Sequence, residues 1–195
     1  MKIRQNSAII FYNFLSGRDK MKKSIEEYVR SIPDFPEEGI IFRDVTSILE
    51  DADGLHLAID LLQEKLADTE FDVIVGPESR GFIFGVPLAY NLNKAFIPVR
   101  KKGKLPCETV EIEYDLEYGS AEIEVHKSDL KPGQKILVID DLIATGGTLA
   151  ASKKLIEQGG AEVLEFFGVI GLPDLNYEKI LEPTKVTTLI NYEGE

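Results

Sequence analysis

Several residue types are scarce in this chain of 195 residues, which has no tryptophan, one cysteine and two histidines. A single cysteine, Cys107, cannot form an internal disulfide, and this fits a reducing compartment. His56 and His126 lie outside any cluster of cysteine or histidine, so we expect surface or packing roles for them and no zinc site. No window approaches the roughly 20 apolar residues that span a bilayer, which argues against a membrane protein.

Positive charge is also scarce, because 22 basic residues face 34 acidic ones and the net charge is -12. Such a chain repels phosphate backbones, which argues against general nucleic-acid binding. A phosphorylated substrate would need local help from backbone N–H groups, a metal or a few well-placed cations. With 44% hydrophobic and 29% charged residues, the composition is that of one globular domain of ordinary size.

The first twenty residues have the outline of a signal peptide, with an early positive charge and a short apolar patch. Asn13 interrupts the patch, and the charged stretch "GRDKMKK" stands where a cleavage region should be small and neutral. We therefore interpret residues 1–20 as a non-exported extension and expect a single domain over residues 21–195 in the cytoplasm.

From Met21 onward, helical and strand patterns alternate. The capping box of Ser24 and Glu27 predicts a short helix to about Ser31, and Asp53 is predicted to cap a second helix. Buried strands followed by helices imply an α/β fold, with a mostly parallel twisted sheet flanked by helices. This second helix is predicted to run over 55–66, and further helices are predicted at 80–92 and 147–160. Strands are predicted at 71–76, 95–100, 134–140, 161–172 and 186–191, and a solvent-facing hairpin at 110–114 and 121–125.

Ligands of open α/β sheets bind beyond the carboxyl ends of the strands. Here those ends carry "GPESRG" (76–81) and "DDLIATGGT" (140–148). In the second segment, Thr145 to Thr148 lie between a strand and a helix, where backbone N–H groups and the helix dipole favour an anion. The alternative is an ordinary strand-to-helix turn, since no P-loop lysine follows the glycines.

Asp140 and Asp141 place two like charges side by side at the end of a strand. Repulsion between them is relieved when a cation or several hydroxyl donors meet them, as a ribose with bound magnesium would. The alternative is a solvated acidic loop. Together, the acidic pair and the following turn predict a site for a sugar phosphate.

The segment "VIDDLIATGGT" resembles the phosphoribosyl-diphosphate motif of type I phosphoribosyltransferases. Four further segments, "IPDFPEEGIIFRDVTSIL", "VGPESRGFIFG", "VRKKGKLP" and "LEYG", stand in the order of the adenine phosphoribosyltransferase family. Residues 1–20 match nothing in that pattern. The resemblance implies the type I fold with a hairpin hood over the active site, magnesium bound with the substrate, and a homodimer for which the helix at "RGFIFG" is a candidate interface.

The resemblance also implies which residues bind phosphoribosyl diphosphate. Asp140 and Asp141 would bind the ribose hydroxyls, and a cis peptide is implied between Glu78 and Ser79. Without the resemblance, Arg80 is equally an arginine at the start of a surface helix, and "RKKGK" a solvated turn. The 5′-phosphate would be bound by Ala144, Thr145, Gly146, Gly147 and Thr148, and the pyrophosphate by Glu78, Ser79, Arg80, Arg100, Lys101 and Lys104.

For the base, the resemblance implies an adenine held between the ring of Phe42 and the side chain of Leu142, with backbone groups of Ile41 and Arg43 at its polar edge. Phe42 could instead be a core residue.

Glu117 would be the general acid/base, with Tyr118 beside it closing the site, and Arg80 would stabilise the leaving group. Glu117 is otherwise one of many exposed acids in its hairpin. The implied reaction converts adenine and phosphoribosyl diphosphate to AMP and pyrophosphate, with no nucleophilic side chain.

Two other functions remain open at this point. The same fold could use xanthine, guanine or hypoxanthine, because backbone contacts choose among purines. A non-catalytic regulator could keep the pocket as a sensor and bind nucleic acid, but the acidity of the chain opposes this.

Overall fold

The computed structural model describes residues 23–115 and 120–194. Two sheets are present in this part of the chain, one of two strands and one of seven. The strands are β1 Arg30–Pro33, β2 Ile41–Asp44, β3 Val73–Pro77, β4 Ala95–Lys101, β5 Thr109–Asp115, β6 Ser120–His126, β7 Lys135–Ile143, β8 Glu162–Gly171 and β9 Lys185–Asn191.

The seven-stranded sheet has the order β5-β6-β4-β3-β7-β8-β9. The five strands from β4 to β9 in this order are parallel, while the β5–β6 hairpin joins the edge of β4 in antiparallel fashion. The predicted mostly parallel α/β fold is therefore confirmed. Because β3 and β7 are neighbours, the two segments predicted to bind ligand leave the sheet side by side.

Helices cover both faces of this sheet. They are α1 Thr46–Leu49, α2 Ala52–Lys65, α3 Gly81–Leu92, α4 Gly147–Gln158 and α5 Tyr177–Leu181, with 3-10 turns at Ile25–Tyr28 and Pro173–Leu175.

Two hydrophobic clusters form the core, one on each face of the sheet. Val75 and Val138 point to the cluster under α4 and the hairpin, whereas their neighbours Ile74 and Leu137 point to the cluster under α2 and α3. This alternation is the period of a strand buried on both faces.

Two details predicted near the N-terminus are wrong: the helix running to about Ser31, and Asp53 as the cap of the second helix. The capping box forms, with the Ser24 N–H donating to Glu27 Oε2 at 2.6 Å, but only a 3-10 turn follows it and the chain then enters β1. Pairing with β2, in which Arg30 lies opposite Asp44, overrides the local helical signal. The N-cap of α2 is Asp51 rather than Asp53, since the extended Asp51 accepts from the N–H groups of Asp53 and Gly54.

Other elements differ in extent from the sequence-based prediction. The small β1–β2 sheet and helix α5 were not predicted. Strand β7 continues past both aspartates to Ile143, because Leu142 and Ile143 still pair with Ile170 and Gly171 of β8. The hairpin is not wholly solvent-facing, as Ile123 and Val125 are buried. Within the described ranges, no helix has both the length and the apolar character needed to cross a bilayer.

Candidate active site

The two predicted binding segments meet at the carboxyl edge of the sheet. Glu78, Ser79 and Arg80 connect β3 to α3, while residues 144–146 connect β7 to α4. The peptide bond between Glu78 and Ser79 is cis, as the resemblance implied.

Arg80 bridges the two segments. Its Nε donates to Asp141 Oδ2 at 2.5 Å, although the two residues lie 61 positions apart in the sequence. The arginine side chain is 55% exposed and the carboxylate only 4%. An exposed guanidinium therefore covers a buried acid and still presents N–H groups to solvent.

The acidic pair is half-buried at Asp140 and buried at Asp141. Burial, and then the neighbouring charge of Asp141, raise the pKa of Asp140 well above its ordinary value, against a smaller lowering by Arg80. The Asp140 Oδ1 atom accepts from the Asp141 N–H at 2.9 Å. Hydroxyl donors or a cation arriving at this edge would relieve the repulsion that raises the pKa.

The predicted phosphate segment, residues 144–148, has a backbone arrangement that suits an anion. Gly146 has φ +81° and caps α4, and a Cβ there would stand 3.2 Å from both Tyr177 Cβ and Leu181 Cγ. The N–H groups of Gly147, Thr148 and Leu149 belong to the first helical turn, which has no acceptor for them within the helix. Thr145 is exposed, and Ala144 is half-buried. Helix α5, absent from the sequence prediction, thus backs this turn.

The basic segment, residues 100–104, lies beside the loop that follows β3. Arg100 Nε donates to Glu78 Oε2 at 2.8 Å, and the Lys101 N–H donates to the same oxygen at 3.0 Å. These hydrogen bonds, led by that of Arg100, lower the pKa of Glu78. The side chains of Lys101 and Lys104 are exposed. Glu78 is therefore ionised and ties β4 to the loop that follows β3.

A buried carboxylate fixes the turn after β4. Glu124, 2% exposed, accepts from the N–H groups of Lys104 at 2.7 Å and Leu105 at 2.8 Å. Burial alone would raise the pKa of Glu124, but the N–H groups of Leu105, Lys104 and Gly103 outweigh it and the pKa is lowered. Sequence reasoning missed Glu124, although its place between Ile123 and Val125 in β6 was visible.

The residues predicted to bind the base lie on two elements. Phe42 is in β2 and is 37% exposed, so it is not a core residue, and its ring meets Phe35 edge to face at 5.2 Å. Ile41 is exposed beside it, and the guanidinium of Arg43 lies 3.9 Å from the centre of the Tyr192 ring. Leu142 is half-buried at the end of β7.

The hairpin reaches the phosphate segment through a residue that sequence reasoning did not select. The hydroxyl of Tyr114 lies 3.3 Å from Thr148 Oγ1. Glu117 and Tyr118, predicted at the tip of this hairpin, lie outside the described residues, as do residues 1–20.

Comparison with known proteins agrees with this geometry. A family model described as a phosphoribosyl transferase domain matches residues 44–193. The chain is also 65% identical over 173 residues to the adenine phosphoribosyltransferase of Lachnoclostridium phytofermentans, covering 89% of this chain and 99% of that one. The chain belongs to the adenine phosphoribosyltransferase family.

Solved structures of the same family have the same fold. The adenine phosphoribosyltransferase of Thermoanaerobacter pseudethanolicus superimposes with a TM-score of 0.82 at 45% identity, covering 87% of this chain and all (100%) of that one. The Saccharomyces cerevisiae enzyme, solved with adenine and an imino-altritol bisphosphate, has a TM-score of 0.78 at 40% identity and covers 85% and 96%.

Within residues 23–115 and 120–194, no group of three or more His, Cys, Asp or Glu side chains is arranged to hold a metal. Asp140 and Asp141 nevertheless offer the hard oxygen donors that magnesium prefers. A magnesium ion bound through the substrate would take its ligands from the diphosphate and the ribose, and the two carboxylates would place negative charge beside it.

Proposed function

We propose that this protein transfers the 5-phosphoribosyl group of phosphoribosyl diphosphate to N9 of adenine, forming AMP and pyrophosphate. Membership of the adenine phosphoribosyltransferase family supports the reaction. The observation that carries it to these residues is the contact of Arg80 with Asp141, because it joins the loop proposed to bind pyrophosphate to the segment proposed to bind the ribose phosphate.

The sugar phosphate would bind along the carboxyl edge of the sheet. The turn from Ala144 to Thr148 offers N–H and hydroxyl donors to the 5′-phosphate, and the helix dipole of α4 adds to the attraction. Asp140 and Asp141 would accept hydrogen bonds from the two ribose hydroxyls. A diol supplies donors where the chain has placed two carboxylates, and this relieves their mutual repulsion.

Pyrophosphate would bind at the neighbouring loop. The guanidinium of Arg80 has N–H groups besides the one on Asp141 and can grip phosphate oxygens in a bidentate manner. Ser79 belongs to this loop, and Glu78 holds both Arg100 and the Lys101 N–H next to it. The exposed Lys104 is near enough for its charge to contribute to the lowered pKa of Glu78. In a molecule of net charge -12, these cations supply the local attraction that the overall field denies.

Breaking the bond between C1 of ribose and the pyrophosphate oxygen leaves positive charge on the sugar and negative charge on the leaving group. Arg80 and the nearby lysines would stabilise the leaving group as its charge grows. Magnesium bound with the substrate would neutralise part of the charge on the pyrophosphate.

Adenine would enter between Phe42 and Leu142. An exposed ring in β2 and an aliphatic side chain after the acidic pair suit the two faces of a purine, while backbone groups near Ile41 and Arg43 would read its edge. Glu117 would take the proton that the base loses, and Tyr118 would help to close the site.

An assay with separate bases tests this proposal. The protein is incubated with magnesium, phosphoribosyl diphosphate and one of adenine, hypoxanthine, guanine or xanthine, and released pyrophosphate and nucleotide are measured. We expect AMP from adenine and little turnover of the oxopurines. Preferential use of an oxopurine would overturn the choice of base, and tight binding to DNA or RNA at physiological salt without any transfer would overturn the enzymatic proposal.

We also propose that two copies of this chain associate through α3. Ile83, Val86 and Tyr90 recur at helical spacing on one face and are 38%, 49% and 85% exposed, and the same helix starts at the pyrophosphate loop. Light scattering of the purified protein would measure the mass. A cytoplasmic location, to which the single cysteine points, stays a prediction.

A further inference from the structure

One hydrogen bond joins the hairpin to the phosphate turn. The Tyr114 hydroxyl and Thr148 Oγ1 are 3.3 Å apart, and either atom can be the donor. Tyr114 lies in β5 opposite Ala121 of β6, one pair before the last rung of the ladder. The contact therefore lies near the end of the described part of β5.

Packing fixes the ring of Tyr114. With Val110 and Ile112, four and two positions earlier on the strand, it packs against the core cluster that includes Leu149 and Ala151 of α4. The three side chains share one face of β5, as strand alternation requires. The ring is thus held at the start of α4, and its hydroxyl is delivered to Thr148.

The other end of the bond is also fixed. Thr148 occupies the second position of α4, and its carbonyl accepts from Ser152 Oγ at 2.8 Å. The threonine hydroxyl carries one hydrogen and two lone pairs, and the direction of its hydrogen is still free to change.

A bound phosphate would decide the direction of this bond, because a phosphate dianion only accepts. If Thr148 gives its hydrogen to the phosphate, its lone pairs remain to accept from Tyr114. Each hydroxyl then polarises the next, which strengthens both bonds. In the opposite direction Thr148 would spend its hydrogen on Tyr114 and present a lone pair to the anion.

We propose that Tyr114 is a positioning residue that turns the Thr148 hydroxyl toward the 5′-phosphate and links occupancy of the phosphate turn to the hairpin. The inference rests on the proposed function, since it assigns the 5′-phosphate to this turn. It adds a role for a residue three positions before Glu117, on the same hairpin. Binding of the 5′-phosphate is then coupled, through Tyr114, to the hairpin that carries the residue proposed to act on the base.

The test compares two ligands that use different loops. Calorimetry would measure the affinities of the full-length wild type and of Tyr114→Phe for ribose 5-phosphate and for pyrophosphate. Removing the hydroxyl while keeping the ring should weaken ribose 5-phosphate by about 3- to 10-fold, the value of one hydrogen bond that supports a charged contact. Pyrophosphate affinity should not change. Tyr28→Phe, in the 3-10 turn before β1, is the matched control and should alter neither affinity.

A double-mutant cycle then asks whether Tyr114 acts through Thr148. In a Thr148→Val background, Tyr114→Phe should cause no additional loss of ribose 5-phosphate affinity, because the hydroxyl that it orients is gone. Additive losses, or equal losses for ribose 5-phosphate and pyrophosphate, would overturn the inference. So would an unchanged affinity of Tyr114→Phe in a protein whose wild type binds ribose 5-phosphate and forms AMP. A wild type that does neither would overturn the proposed function itself.

Discussion

Arg80 and Asp141 form an ion pair of unequal partners, in which a side chain 55% exposed covers one that is 4% exposed, with 2.5 Å between Nε and Oδ2. Without the arginine, the buried carboxylate would lose its counter-charge, whereas the exposed guanidinium would still be solvated without the carboxylate. Only the Nε of Arg80 is used in this bond, so its terminal N–H groups are available to a pyrophosphate while the contact with Asp141 is kept.

Removing the arginine should therefore destabilise the protein even without substrate. We expect Arg80→Ala to lower the free energy of unfolding by about 1–2 kcal/mol, less than for a fully buried pair because Arg80 is half exposed. Adding Asp141→Asn should recover most of the loss, since residue 141 then carries no charge that needs the arginine. Urea unfolding of the single and double variants measures both. A double variant less stable than Arg80→Ala would contradict this reading of the pair.

The ionised carboxylate of Asp140 should lower the free energy of unfolding at neutral pH. Its pKa is raised in the folded protein, so the folded state holds the proton more tightly than the unfolded chain does, and stability falls as pH rises from the ordinary carboxyl value through the raised one. Asp140→Asn keeps the acceptor for the Asp141 N–H and should raise the free energy of unfolding at pH 7 by about 1 kcal/mol. The gain should vanish near pH 4, the ordinary pKa being about 3.9.

Asp140→Ala serves as the control for that variant. It also removes the charge, but it loses the oxygen that accepts from Asp141, so its gain should be smaller. Both variants should lose transfer activity, because neither presents a carboxylate to the ribose. If Asp140→Asn were destabilising at pH 7 and neutral at pH 4, the pKa of Asp140 would have to be lowered rather than raised.

Glu124 should show the opposite pH dependence. Its lowered pKa contributes stability that is present above the ordinary carboxyl value, about 4.3, and is lost as pH falls through the lower folded value. Glu124→Gln introduces a buried amide that competes with the N–H donors of Lys104 and Leu105. We expect a loss of about 1–2 kcal/mol at pH 7, shrinking below pH 4, in chemical unfolding.

Glu122 is the matched control, two residues earlier on β6. Its Oε2 lies 3.0 Å from Lys102 Nζ, and the Glu122 side chain is 39% exposed. Surface pairs of this kind contribute little, so Glu122→Gln should unfold like the wild type. Equal effects of the two glutamine variants would show that burial of Glu124 is not what matters.

The sequence predicted correctly those elements that are determined by a local pattern of residues. Buried apolar runs predicted β3 and β7. Because the carboxyl ends of parallel strands meet at one edge of the sheet, the sequence also predicted that Arg80 and Asp141 lie at the same edge. It failed where distant pairing decides. Ser31 lies in a strand because Arg43 lies opposite it, and no local signal encodes that partner.

The supporting residues of the site were the hardest to find. Tyr177 backs Gly146, and Tyr114 meets Thr148, yet each looks in the sequence like one more aromatic residue of a helix or strand. Their roles follow from which segment packs on which, and this is a property of the assembled sheet. The cis peptide bond between Glu78 and Ser79 was predicted only from the family resemblance, because no local pattern in the sequence indicates it.

Glu117 can be tested although it lies outside the described residues. As a general acid/base it should be needed for turnover and not for binding phosphoribosyl diphosphate. Glu117→Ala should reduce kcat by roughly two orders of magnitude, with substrate affinity largely intact. Glu113→Ala, an exposed acid on the same hairpin, is the control and should retain activity. Near-normal turnover of Glu117→Ala would remove the assignment.

Gly146 should tolerate no side chain, and a second glycine shows why. Both Gly146 and Gly133 have positive φ, +81° and +77°, so alanine strains the backbone at either position. A Cβ at Gly133 would meet nothing within 4 Å, whereas at Gly146 it would stand 3.2 Å from Tyr177 and Leu181. Gly133→Ala should lose about 1 kcal/mol of stability through strain alone. Gly146→Ala should lose roughly another 1 kcal/mol through crowding.

The two variants should separate most clearly in ligand binding. Crowding against α5 can be relieved only by shifting the turn that presents its N–H groups to the phosphate, so Gly146→Ala should weaken ribose 5-phosphate by roughly tenfold or more. Gly133→Ala lies in the turn before β7 and should bind ribose 5-phosphate like the wild type. Urea unfolding and calorimetry on the same samples measure both quantities. Equal losses of affinity would mean that backbone strain, and not the support of Gly146 by Tyr177 and Leu181, limits the phosphate site.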